Sequence, residues 1–195
     1  TVGLPLALGM YELGPFWYTL FRELGFGVRF SGFSSRALYA KGQYSIPSDT
    51  ACYPAKLMHG HIETLIEEGV DAIFYPCLTR NVDEHKSDNH YNCPVVAYYP
   101  ELLVHNMDSL AGVRFWYPYL NINSEKELTK ELTAFLAHEV GDVAKKDVTR
   151  AVRAAYAAYD AHMGAIRAEG ARALQYAKDQ GKRVMVLCGR PYHID

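Results

Sequence analysis

Short apolar runs alternate along this chain with longer stretches in which apolar residues return every three or four positions. The short runs, at residues 2–8, 27–31, 70–75, 95–98 and 115–120, read as strands. Residues 70–75, V-D-A-I-F-Y, are of the fully buried kind, while Pro5 puts the first run near a sheet edge. Between the first two, Leu13, Phe16, Trp17, Leu20, Phe21 and Leu24 predict a helix over 11–24, with Gly25 just past its end. Ser34 and Ser35 can cap a short helix ending near Gly42. Ala55, Met58, Ile62 and Leu65 predict another helix, which runs to Gly69. A short helix fits residues 100–106, and Ser124-x-x-Glu127 is a capping box for one that reaches about Val140. The Ala-rich stretch 147–180 predicts a helix of roughly 50 Å that can bend at Gly164 or Gly170.

Strands alternating with helices predict an α/β fold with a mainly parallel, doubly wound sheet of Rossmann or flavodoxin type. Residues 183–188, R-V-M-V-L-C, read as a further buried strand, and no helix follows to cover it. The chain also enters its first strand without an initiator Met. The expectation is therefore a piece of a longer protein. An α/β cysteine-bearing domain occupies 1–146, a long connecting helix 147–181, and the first strand of a truncated second α/β domain 182–195.

Composition narrows the function classes. With 20 basic and 22 acidic residues and a net charge of −2, there is no electrostatic case for nucleic acid or an anionic membrane as partner. No apolar run approaches the roughly 20 residues needed to span a bilayer, and no signal peptide is visible, so the expected compartment is the cytoplasm. Four cysteines in that setting point to metal, redox chemistry or burial rather than a disulfide framework. Aromatic residues beside Pro or Gly, as in Tyr75-Pro76 and Tyr99-Pro100, read as loop-packing rings.

Three of the cysteines fall between Thr50 and Pro94, each within two positions of a proline. Cys52 sits at the start of the helix over 53–69, where unpaired N–H groups and the helix dipole favour a thiolate, with Lys56 one turn on. Cys77 follows the carboxyl end of the strand at 70–75, the edge at which open parallel sheets bind ligands. Cys93 closes the polar stretch 78–92, a structureless length that tends to be functional or disordered. The three can converge on one rim as soft ligands, or simply pack as free cysteines do. Structural zinc would need a fourth ligand, for which His59 and His90 are candidates. His59-Gly60-His61 makes a poor chelate from one helix, so a helix-surface or supporting role is expected there. Cys188, inside an apolar run, is expected to be buried. No G-x-S-x-G, G-x-G-x-x-G or phosphate-loop motif occurs, and the segment Gly189 to Asp195 could open a ligand loop.

Several segments together carry a resemblance: Met10-Tyr11-Glu12 with Pro15-Phe16-Trp17, Ser34-Ser35-Arg36, and Cys52-Tyr53-Pro54-Ala55-Lys56 with His59-Gly60-His61. Phe74-Tyr75-Pro76-Cys77, Asn89-His90-Tyr91-Asn92-Cys93-Pro94 and Gly189-Arg190-Pro191-Tyr192-His193-Ile194-Asp195 extend it over nearly the whole chain. The chain resembles an uncharacterised domain of large CoA-substrate-specific enzyme activases, relatives of the 2-hydroxyacyl-CoA dehydratase system and of double-cubane cluster proteins. The resemblance implies an iron–sulfur cluster held by Cys52, Cys77 and Cys93 at a cleft between two α/β domains. From the residues themselves, Lys56, His59 and His90 are the candidates for a supporting role behind those ligands, with a solvated side chain the alternative for Lys56. The resemblance also implies, as partners, an ATPase module and a second α/β domain of the same parent chain, and allows a homodimer. A cluster-free structural or docking domain is the alternative.

Overall fold

The computed structural model describes residues 1–85, 88–141 and 143–194. Four short strands, β1 (Val2–Leu4), β2 (Val28–Phe30), β3 (Ala72–Phe74) and β4 (Arg114–Trp116), form one sheet in the order β2-β1-β3-β4. Every pairing is parallel, with Gly3 opposite Ile73 and Ile73 opposite Phe115. This is the flavodoxin-like order, and its switch point lies between β1 and β3.

Helices cover both faces. On one side α2 (Gly14–Glu23) packs against α7 (Lys145–Asp179), which also packs against α6 (Glu125–Val140). Phe16, Trp17, Leu20 and Phe21 of α2 are fully buried, and Phe74 of β3 meets Trp17 and Phe21 edge-on at 5.0 and 4.8 Å between ring centres. On the other side α4 (Tyr53–Glu67) packs against α3 (Arg36–Gly42) and α5 (Pro94–Asn106). The α3–α4 crossing is so close that a Cβ on Gly60 would lie 2.0 Å from the Leu38 carbonyl oxygen, and one on Gly42 would lie 2.2 Å from the Gly60 nitrogen. Only glycine permits that approach.

The helix expected over 11–24 is two: a single turn, α1 (Gly9–Glu12), then α2 after Leu13. Leu8 leads into α1 with φ 48° and ψ −141°, a region that side chains other than glycine avoid, yet it is buried. Ser35 caps α3 through Leu38 N–H and Ser124 caps α6 through Glu127 N–H, as the sequence predicts. The strand expected at 95–98 is instead the first turns of α5. Pro94 at its start pre-sets the helical φ, and burial of Val96, Ala97 and Tyr99 on one face outweighs the β-propensity of V-V-A-Y. Helix α7 runs unbroken through Gly164 and Gly170, about 50 Å in all, and most of its second half is exposed.

The expected buried strand at 183–188 is not present. These residues are exposed and carry no regular structure, because no strand lies alongside to take their hydrogen bonds; Cys188 is exposed with them. Asp195 lies outside the described residues. Among the described residues no helix is long and apolar enough to cross a membrane.

Candidate functional site

Two of the three singled-out cysteines are helix N-caps. Cys52 precedes α4 and Cys93 precedes α5, both helices carry proline in their first turn, and neither cap side chain bonds a backbone N–H. Open first-turn N–H groups and the positive ends of two helices of 15 and 13 residues therefore meet at the carboxyl edge of the sheet. Cys52 is exposed and Cys93 half-buried.

Cys77 reaches the same edge but turns inward. Its backbone continues the sheet past Pro76: its N–H donates to Pro118 O at 2.9 Å and its carbonyl accepts from Leu120 N–H at 3.1 Å. Its thiol is buried, which pushes its pKa up to about 11, helped by the Glu101 carboxylate and opposed by the Glu101 backbone N–H and the Tyr119 hydroxyl. Glu101 follows Pro100 inside α5, so the buried sulfur faces the middle of that helix. Among the described residues, no three His, Cys, Asp or Glu side chains are arranged to hold a metal ion. The thiols share an edge of the sheet without forming a ligand set.

The supporting residues also differ from expectation. His59 and His61 lie on no helix surface; both are fully buried between α4 and its neighbours. Ser45 Oγ donates to Gly42 O, so it must accept from His59 Nδ1 at 2.8 Å. His59 Nε2 then accepts from the Tyr99 hydroxyl at 2.9 Å. Burial lowers the His59 pKa to about 4, which keeps the imidazole neutral, and the Ser45 contact sets its tautomer. His61 lies between Ser31 Oγ and Ser34 Oγ at 2.7 and 2.9 Å, and Ser31 Oγ also accepts from Leu6 N–H. His61 ties α4 to the ends of β1 and β2, and His59 ties it to Ser45 and to Tyr99 of α5. Lys56 donates to the Asp49 carbonyl at 2.9 Å and so closes the loop before α4. His90 pairs with Asp83 at 3.5 Å and lines a polar cavity of about 190 Å³ with Asn81, Asn92 and Arg190.

Three tyrosines lie within electrostatic reach of the thiols, of which Tyr75 and Tyr99 were expected only as loop-packing rings. Tyr75 follows β3, two positions before Cys77; among the described residues its buried hydroxyl has no hydrogen-bond partner, and burial, with Tyr99, Cys77 and Cys52 adding to it, raises its pKa well above the ordinary value. Burial, with Cys52 nearby, raises Tyr99 to about 12. Tyr192 comes from the carboxyl-terminal segment, packs into the core and lies within electrostatic reach of Cys93 and Cys52. The signal for Tyr75 was available: a hydroxyl immediately past a buried strand, at the edge where such sheets act. Next to this group Glu12 has a raised pKa, chiefly from burial and with the Glu84 carboxylate adding to it, against hydrogen bonds from Asn81 and Tyr159.

A family model described as the CoA enzyme activase uncharacterised domain matches residues 1–195. The chain belongs to that family. Comparison with curated proteins and with solved structures gives no match. Membership extends over the entire α/β unit, the long α7 and the Tyr192 segment.

Proposed function

We propose that this activase domain is the cysteine-bearing part of an ATP-dependent, low-potential electron-transfer protein and holds an iron–sulfur cluster through Cys52, Cys93 and Cys77. The observation that carries the reading is the pair of uncapped helix N-termini headed by Cys52 and Cys93 at the switch-point edge. Such positions leave first-turn N–H groups open toward a sulfur-bound anionic cluster. Bound there, the cluster would supply one-electron chemistry. The protein's part is to hold the two rim thiolates and to keep His59 and Tyr99 neutral behind them. Cys77 does not fit as it stands. To ligate, it must lose its proton and release the Glu101 N–H, and metal coordination can drive the first of these. The ATPase module and a second α/β domain of the parent chain would close the site from the other side.

Anaerobic reconstitution with iron and sulfide tests this. A brown protein with charge-transfer absorption that disappears in the Cys52/Cys77/Cys93 triple alanine variant is the expected result. Equal iron and sulfide in wild type and variant would remove the proposal.

The inward turn of Cys77 favours a second reading, a cluster-free docking domain. A groove of about 790 Å³ lined by Tyr18, Phe30, Phe33, Met163 and Ile166 gives such a domain an apolar face. On that reading reconstitution yields no bound iron, and Cys77→Ala weakens the fold instead.

A further inference from the structure

From Lys182 to Ile194 every residue is exposed except Tyr192, which is 9% exposed and belongs to the core cluster. The turn that carries it, Pro191–Ile194, packs on α1 at the carboxyl end of β1. On one flank Arg190 shares a polar cavity with Asn81, His90 and Asn92, next to Cys93. On the other flank Pro191 and Ile194 line the apolar groove with Met163 and Ile166. The segment therefore lies across the β1–β3 switch point, with one aromatic side chain pointing in. Among the described residues its hydrogen bonds, His193 N–H to Arg190 O and Arg190 N–H to His193 Nδ1, are internal to the turn. A piece of chain docked by a single side chain belongs to the low-stability end of local opening.

We propose that residues 190–194 are a displaceable cover on the cysteine-bearing edge, and that Tyr192 is the plug that sets access to Cys93. Among the described residues the Tyr75 hydroxyl, within electrostatic reach of Tyr192, is buried without a partner, and an unpaired buried donor is costly. A group that enters in place of Tyr192 and carries an oxygen acceptor gains that hydrogen bond. The cover thus admits a ligand with a carbonyl, carboxylate or phosphate oxygen in preference to an apolar one. This inference does not depend on a cluster, since it concerns the thiols of the protein free of metal.

Iodoacetamide labelling of the reduced, metal-free protein, read at each cysteine by peptide mass spectrometry, tests it. Tyr192→Ala should speed labelling of Cys93 about tenfold, as expected when most of the burial of one aromatic side chain is lost. Cys188, already exposed, should keep its rate, and buried Cys77 should stay slow. Tyr192→Phe should behave as wild type, because packing rather than the hydroxyl holds the plug, and Tyr192→Leu should fall between. An unchanged Cys93 rate in Tyr192→Ala overturns the proposal. A parallel rise at Cys77 in both Tyr192→Ala and Tyr192→Leu also overturns it, because Tyr192 would then be part of the indivisible core, whereas a rise at Cys93 alone in Tyr192→Leu supports it.

Discussion

Gly60→Ala sets two effects of opposite sign against each other at the α3–α4 crossing. In an exposed helix interior the change gains about 1 kcal/mol, because alanine loses less backbone entropy on folding. Here the new Cβ would stand 2.0 Å from the Leu38 carbonyl oxygen and 2.7 Å from its carbonyl carbon, both backbone atoms that cannot rotate away. The helices must separate, at a cost of about 1–3 kcal/mol or more for overpacking. Separation also pulls His59 from Ser45, which exposes a buried hydrogen bond worth about 1 kcal/mol. The balance is a net loss of about 2 kcal/mol, a fall in Tm of about 4–8 °C for a domain of this size. Gly164→Ala is the matched control, since nothing lies within 4 Å of its Cβ position, and it should raise Tm by about 2–4 °C. Thermal unfolding followed by circular dichroism, with urea titration to check that the slope is unchanged, measures both. If Gly60→Ala stabilises the protein as much as Gly164→Ala does, the close crossing and the placement of His59 derived from it are wrong.

Further outcomes follow from the same geometry. His59 has a folded pKa of about 4 against an ordinary 6.5, so the unfolded chain takes up a proton that the folded one refuses; its contribution is intact above pH 6.5 and is lost as pH falls toward 4. His59→Gln should flatten the pH dependence of urea midpoints across that window. Tyr99→Phe removes the donor to His59 Nε2, leaves a buried acceptor unpaired and should cost about 1–3 kcal/mol by urea titration. Alkylation of the native protein at pH 8 should modify Cys52 and Cys188 first and Cys77 last, because the first two are exposed and the Cys77 thiol titrates near 11. Ser124→Ala should lower stability by about 1 kcal/mol through loss of the α6 cap.

What the sequence made legible were the features encoded locally. The capping residues Ser35 and Ser124, Gly25 past α2 and the apolar run of β3 each specify their element from a few neighbouring positions. The reading failed where a distant contact decides the outcome. V-V-A-Y at 95–98 has strand propensity, and only burial of Val96, Ala97 and Tyr99 against the sheet makes it helical. The run V-M-V-L at 184–187 has strand propensity too, and no neighbouring strand takes it up. At the candidate site, the placement of all three cysteines on one edge followed from the order of elements. The inward turn of Cys77 did not, because the groups that meet its thiol, Glu101 and Tyr119, lie on other elements far along the chain. Nor did the buried polar contacts of His59 and His61, whose partners come from other elements.

The length of the return path beyond α7 bears on how Tyr192 competes for its place. From Ile166, beside the Tyr192 turn, α7 climbs about 20 Å to its end at Asp179. The 11 steps of chain from Gln180 back to Pro191 reach about 36–40 Å when extended, nearly twice what is needed. Tyr192 is thus a tethered ligand on a slack leash, and it can leave and return without unwinding a residue of the helix. For such a tether the effective local concentration is of millimolar order. A molecule that takes the switch point must bind well enough to outcompete that standing concentration, and shortening or lengthening residues 182–189 would change it without touching a single contact residue.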